Sequence, residues 1–232
     1  MPGSSHANMD VIIEELEEVS LEPLYRQILE LNHRRQLHDE FVELLEAQGH
    51  PQRGIFGEAF HRMYLEAQCL AIRRQADDDS RTLSLRRLIG QLEQHRKHFT
   101  REWYVGRWLG REPRDEADRK FHTKMANDAF DRFVDASKPD QLGGRMLQAD
   151  REALQAATES VVTYVNSYVA HAEHEPEQRE TTYDEFHKAI EHLSEMLKRY
   201  YLLINQGGLV TSTPVIQGDW KGPFRQPLVS PS

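Results

Sequence analysis

Along most of the chain apolar residues recur every three or four positions with polar residues between them, the pattern of helices that bury one face. Leu21, Leu24, Tyr25, Ile28 and Leu31 run on into Leu37, Phe41, Leu44 and Leu45 until Gly49, His50 and Pro51 interrupt. This predicts one long helix with Ser20 as its N-cap and Pro23 in its first turn. A second helix is expected over about 54–76, with Phe56, Ala59, Phe60, Met63, Ala67, Leu70 and Ala71 as its stripe, ending at Asp77-Asp78-Asp79-Ser80. Ser84 then caps a third, which carries Leu85, Leu88, Ile89, Leu92 and Phe99 on one side.

Trp103 to Gly110 reads as a short aromatic connector, followed by a fourth helix over about 114–136 with Phe121, Met125, Phe130, Phe133 and Val134 on its face. Lys138-Pro139 and Gly143-Gly144 mark a loop. A fifth helix covers about 146–172, and a sixth covers about 182–205, stopping at Gly207-Gly208. No alternation of strand type precedes Leu209. The expected class is all-α: an up-and-down four-helix bundle with additional helices. Residues 1–19 read as an acidic N-terminal arm, 20–205 as the bundle, and 206–232 as an extended C-terminal arm. Pro214, Pro223, Pro227 and Pro231 forbid a helix in that arm, while Trp220 and Phe224 are apolar enough to pack on the bundle or on a partner.

Composition narrows the class. At 232 residues, 38% hydrophobic and 29% charged, the chain suits one domain with many solvated helix faces. No apolar run approaches the roughly 20 residues of a membrane span. Met1 to Asn8 is polar, and Asp10 to Glu22 holds six acids and no Lys or Arg, so no leader is read and the cytoplasm is expected. The first eight residues are equally well vector-derived, with Met9 the natural start, and stay outside the fold argument. The lone Cys69 reads as a small core residue. Glu30/His33 and Glu58/His61 have the i, i+3 spacing of di-iron bundles, but each pair points away from its own helix's apolar stripe, so neither a metal nor a cofactor is expected.

Charge is segregated. Ser80 to Arg111 holds eight Lys or Arg against two acids, in a chain whose net charge is −9. Arg87, Lys97, His98 and Arg101, with Trp103 following, form the mixture of cations and aromatics that single-stranded RNA grooves use. The other reading is a solvated face paired with acids, for which Asp10, Glu14, Glu15, Glu17, Glu18 and Glu22 are the candidates. The other candidate chemistry lies at Tyr164 to His171, where an apolar helix finishes in an Ala-His pair before a charged, proline-containing stretch. His171 suits a titratable nitrogen on a rigid support, and Ser167, one turn earlier, suits a hydrogen bond that sets its tautomer. A histidine favoured by the helix dipole at a C-terminus is the competing explanation.

Arg73-Arg74-Gln75-Ala76-Asp77, then Leu83 to Leu88, then Asn166 to His171, then a long aromatic helix and a Trp/Pro/Phe tail together resemble the HEPN superfamily (higher eukaryote and prokaryote nucleotide-binding), in its abortive-infection-related branch. The resemblance covers about Ser20 to Pro227. It implies an up-and-down bundle, a homodimer, and a metal-independent ribonuclease or RNA binder in a defence or toxin-antitoxin system. It further implies that His171 is the motif histidine and Asn166 the polar position beside the motif arginine. The arginine slot falls on Val165 or Asn166, and no arginine lies in Tyr164 to Ala170. Without that cation, phosphate positioning and charge neutralisation are lost, which implies cleavage that is weak or absent. Arg73 and Arg74, late in the second helix, are the cations to measure against the site. The alternative function is a non-catalytic module or scaffold that holds a partner protein by a bundle face and the Trp220/Phe224 arm.

Overall fold

The computed structural model describes residues 11–47, 55–110, 115–170, 182–209 and 218–222. His171, Phe224, Gly49 to Pro51 and the tail prolines therefore lie outside the described residues. The protein is all-α, and its described residues form seven α-helices and one two-stranded hairpin.

The first helix starts earlier than its apolar stripe suggests. Residues 11–47 are helical without a break, with a π-helical turn at Leu16–Leu21 leading into α1 (Glu22–Ala47). In that turn the Glu22 N–H reaches back to the Glu17 carbonyl. Pro23 follows directly, and its ring would crowd the carbonyl four residues earlier in a regular helix, so the wider turn sits where it relieves that contact. Ser20 is consequently no N-cap. It is buried inside the turn and donates to Gln91 Oε1 at 3.0 Å. Nor do the described residues of the acidic start form a separate arm. Ile13, Leu16 and Leu21 are buried between the acids and join the core.

The next helices are α2 (Ile55–Gln75), α3 (Leu85–His95), α4 (Arg101–Trp108) and α5 (Glu116–Phe130). Ser84 caps α3 as expected, accepting from the Arg87 N–H. The aromatic connector is in fact α4, because Thr100 caps it by accepting from the Trp103 N–H after a 3-10 turn at Arg96–His98. α5 ends at Phe130, short of the expected boundary. A hairpin follows, β1 (Val134–Asp135) against β2 (Lys138–Leu142), where no strand was expected. Then come α6 (Gly144–Tyr164), extended by a π-helical turn at Val165–Ala170, and α7 (Tyr183–Asn205). A capping box of Thr182 and Glu185 starts α7, and Gln206 closes it in the left-handed region at φ 58°, ahead of the glycines expected to stop it.

Four long helices, α1, α2, α6 and α7, pack around one core. Side-chain pairs fix their directions. Phe41 meets Phe60, His38 meets His61, and Gln68 donates to the Leu31 carbonyl, so α1 and α2 run antiparallel. Tyr25 with Tyr201, Asn32 with Ser194 and Arg35 with Glu191 make α1 and α7 antiparallel as well. At the far end the buried Asp150 of α6 accepts from Tyr200 Oη at 2.7 Å and pairs with Arg199 at 2.8 Å. The short segment at 218–222 reaches α1 through Lys221 and Glu40, 2.8 Å apart.

Two stripes sit elsewhere than predicted. On α2 the buried residues are Tyr64, Gln68, Cys69, Ile72 and Gln75, whereas Phe56, Met63 and Leu70 face outward. On α5 the buried residues are Ala126, Ala129 and Phe130, with Phe121 and Met125 exposed.

Candidate functional site

The hairpin positions the helix that carries the candidate site. The α6 N-terminus has no side-chain cap of its own, and Asp135 supplies one from β1 by accepting from the Arg145 and Met146 N–H groups at 3.1 and 3.2 Å. A carboxylate there also meets the positive end of the helix dipole. Gly143 permits the approach, since a Cβ at that position would lie 2.6 Å from the Asp135 carboxylate.

At its other end α6 widens into the π-helical turn that holds Asn166 and Ser167. Here the last turn of α2 comes alongside. Arg73 Nε donates to Asn166 Oδ1 at 3.0 Å, and both side chains are exposed. Arg74, also exposed, is in the same turn, and Ser167 is half-buried next to Asn166. The structure thus brings a guanidinium to the polar residue of the motif-like segment, from a different helix than the motif would use. Among the described residues only Nε of Arg73 is engaged, by Asn166, and its Nη groups carry further donors suited to an anion. His171, five residues beyond Asn166, lies outside the described residues.

The basic segment is largely committed within the protein. Arg101 bonds Pro139 O, Asn127 and Asp131, lies 3.5 Å from Asp140, and stacks over Phe130 with its side chain only 20% exposed. A phosphate would have to displace a carboxylate to reach it, which removes Arg101 from the RNA-facing set. Trp103 leaves it too. It packs against the core, edge to face with Phe99 at 5.2 Å. Arg81 pairs with Asp79, Arg86 with Asp78, and Arg107 with Glu17 at 2.5 Å. The last is a contact between the acidic start and the basic segment of the kind read from the sequence. Burial raises the Glu17 pKa above the usual carboxylate range against the opposing pull of Arg107. Of the remaining RNA-facing candidates, Lys97 is exposed, while Arg87 and His98 are half-buried. Burial, then Lys97 and His95, lower the His98 pKa.

Sequence reasoning missed a chain of aromatic and imidazole groups through the bundle. Tyr183 on α7 is hydrogen-bonded to His61 Nε2 on α2. His61 Nδ1 lies 3.0 Å from His38 Nε2 on α1, and His38 Nδ1 lies 3.2 Å from Asp39. One proton arrangement serves every link: each group donates to the next and the carboxylate accepts last, with both imidazoles neutral. Burial lowers the pKa of His38, of His61 and of the neighbouring His187, which agrees with neutrality. His61 points inward because the stripe expected to be buried on α2 faces out, reversing the orientation read from the sequence. No group of three or more metal-ligating side chains exists among the described residues. Asp39 also lines a cleft of about 420 Å³ between α1 and α7, where Asp39, Glu40, Glu43, Glu191 and Glu195 outnumber Arg35 and Lys198. Its carboxylates make it a poor receptor for phosphate.

Compared with models of known protein families, with curated proteins and with solved structures, the chain matches none.

Proposed function

We propose that this is an RNA-directed, HEPN-like helical protein whose ribonuclease activity is weak or absent, working at the corner formed by Arg73, Asn166 and Ser167 where the chain leads on to His171. The hydrogen bond from Arg73 to Asn166 carries this reading. The motif-like segment has no arginine of its own, and α2 supplies one in space, with Arg74 adjacent. Such a pair positions a phosphate as a charge-assisted clamp. In this role Arg73 holds the phosphate, Asn166 orients Arg73, and His171 is the proton-transfer group of any residual cleavage. A defence or toxin-antitoxin setting comes with the resemblance alone.

The test is retention and cleavage of a labelled single-stranded RNA in a chelator at low salt, comparing the native chain with Arg73→Ala and His171→Ala. Arg73→Ala is expected to weaken binding by about tenfold, the size of one lost charged hydrogen bond. Any cleavage should vanish in His171→Ala. A native chain that neither retains nor cuts RNA would end the reading. The scaffold alternative would then stand, supported by the exposed apolar face of α2.

A further inference from the structure

The end of the bundle where α1 stops and α2 and α7 begin is organised around one imidazole. His38 is buried at 4% exposure, with the ring centre of Tyr64 stacked 3.8 Å away, those of Phe60 and Tyr183 at 5.7 and 6.5 Å, and that of His61 at 5.0 Å. The chain from Tyr183 through His61 and His38 to Asp39 thereby ties α7, α2 and α1 to one another. Its proton capacity follows from its donors and acceptors. With both rings neutral every link is made. One added proton is still accommodated: His38 Nδ1–H faces Asp39, a single N–H is shared between His38 Nε2 and His61 Nδ1, and His61 Nε2–H faces the Tyr183 oxygen, whose own hydrogen turns away. A second proton has no place. It sets N–H against N–H across the 3.0 Å between the rings and puts two positive charges on neighbouring helices.

We propose that this chain of groups is an acid-operated latch: it holds the ends of α1, α2 and α7 together, and uptake of a second proton by the His38–His61 pair releases them while the rest of the bundle stays packed. Among the described residues, Asp39 of α1 and the stacked face of Tyr64 favour a charge on His38, whereas His61 of α2 and His187 of α7 oppose it. On His187 itself Arg35 of α1 opposes a charge, and Asp39, Asp184 and Glu191 favour one. Tyr64, its hydroxyl pushed up to about 12 by burial, stays neutral throughout. Burial opposes charge on all three rings and is the largest influence on each, so the second proton is taken up below the ordinary 6.5 of histidine. The latch is closed above that value and opens as pH falls beneath it. The far end of the bundle is held without an imidazole pair: Tyr25 packs on Tyr201, Gln75 donates to Gln27, and Asp150 accepts from Tyr200 and Arg199. One ring, His192, lies there, and its protonation places a cation near the Asp150 carboxylate, not against a second imidazole. The latch does not rest on the RNA reading.

Amide hydrogen exchange of the full chain at about pH 7.5 and about pH 5 is the direct measurement, the lower value lying above the range in which ordinary carboxylates take up protons. After correction for the pH dependence of intrinsic exchange, residues 38–47, 56–64 and 183–190 should lose protection by at least about tenfold at the lower pH, and residues 24–31, 68–75 and 197–204 should not. His61→Gln keeps a hydrogen-bonding group on α2 without a second charge, so its protection should be the same at both pH values. Tyr183→Phe removes only the outer link and leaves both rings, so it should still open in acid. Circular dichroism at the higher pH checks that each variant is folded. Histidine ring chemical shifts of the native chain give a reading that needs no variant: His38 and His61 should take up protons in two separated steps, with the opening confined to the second. Loss of protection along all four long helices alike, or no loss, overturns the proposal. So does acid opening that persists in His61→Gln, or a native chain that opens with the first proton.

Discussion

Arg101 shows how far a charge visible in the sequence can be from a charge available to a ligand. The sequence places it in a run of cations beside aromatics, and that much is legible, but its partners Asn127, Asp131 and Pro139 come from α5, the turn after it and the hairpin, some 26 to 38 positions away. Local patterning carries no trace of such distant partners. Arg101→Ala is therefore expected to cost about 2 kcal/mol of stability, as for hydrogen bonds to a charged group, and to leave RNA retention nearly unchanged. Urea denaturation and filter binding on the same variant separate the two effects. The histidine chain gives a second prediction at this scale. Burial places the folded pKa values of His38, His61 and His187 below the ordinary 6.5, so the unfolded chain binds more protons in the window beneath 6.5. The stability these neutral rings contribute is complete above that value and declines as pH falls through it toward the lowered values. Urea midpoints between about pH 7.5 and about pH 5 should fall, and His38→Phe should flatten the fall by removing one titrating ring while keeping the stack on Tyr64. An equal slope in the variant would show that His38 is not among the groups responsible.

Helix existence was far easier to read than helix orientation. The bounds of α2 and α7 agree with their punctuation, the acidic run after Gln75 and the capping box at Thr182, because caps are local chemistry. The buried face of α2 was not legible. Its apolar residues lie nearly all the way round, and its true inward face includes Gln68 and Gln75, whose amides bond the Leu31 carbonyl and Gln27. Amides that donate inside the fold in this way are indistinguishable from solvated ones in a sequence. The hairpin escaped because β1 has only two residues, too few to alternate. Its role at the level of elements is to hand Asp135 to α6. Asp135→Ala should destabilise the protein by about 1 kcal/mol, the usual worth of an N-cap. It should also speed amide exchange in the first turn of α6, while Asp140→Ala, on the same hairpin with an 86% exposed side chain, should do so far less. Equal effects from the two variants would mean that the carboxylate acts on the hairpin rather than on the helix.

For the whole molecule, the net charge and the Arg73 corner act on a polyanion in opposite senses. The chain carries −9 overall, so an RNA approaching the corner proposed for it meets a repulsive field at long range and the Arg73 and Arg74 guanidinium groups at short range. Salt screens the first over about 8 Å at physiological ionic strength and weakens the second through counterion release. Retention of a single-stranded RNA by the proposed site should therefore fall as salt rises from about 50 to about 200 mM, with the slope of about one or two phosphate contacts. Arg73→Ala combined with Arg74→Ala should flatten that slope, because the guanidinium contacts go and the screened long-range field stays. A slope unchanged in the double variant would place the phosphate contacts elsewhere on the molecule.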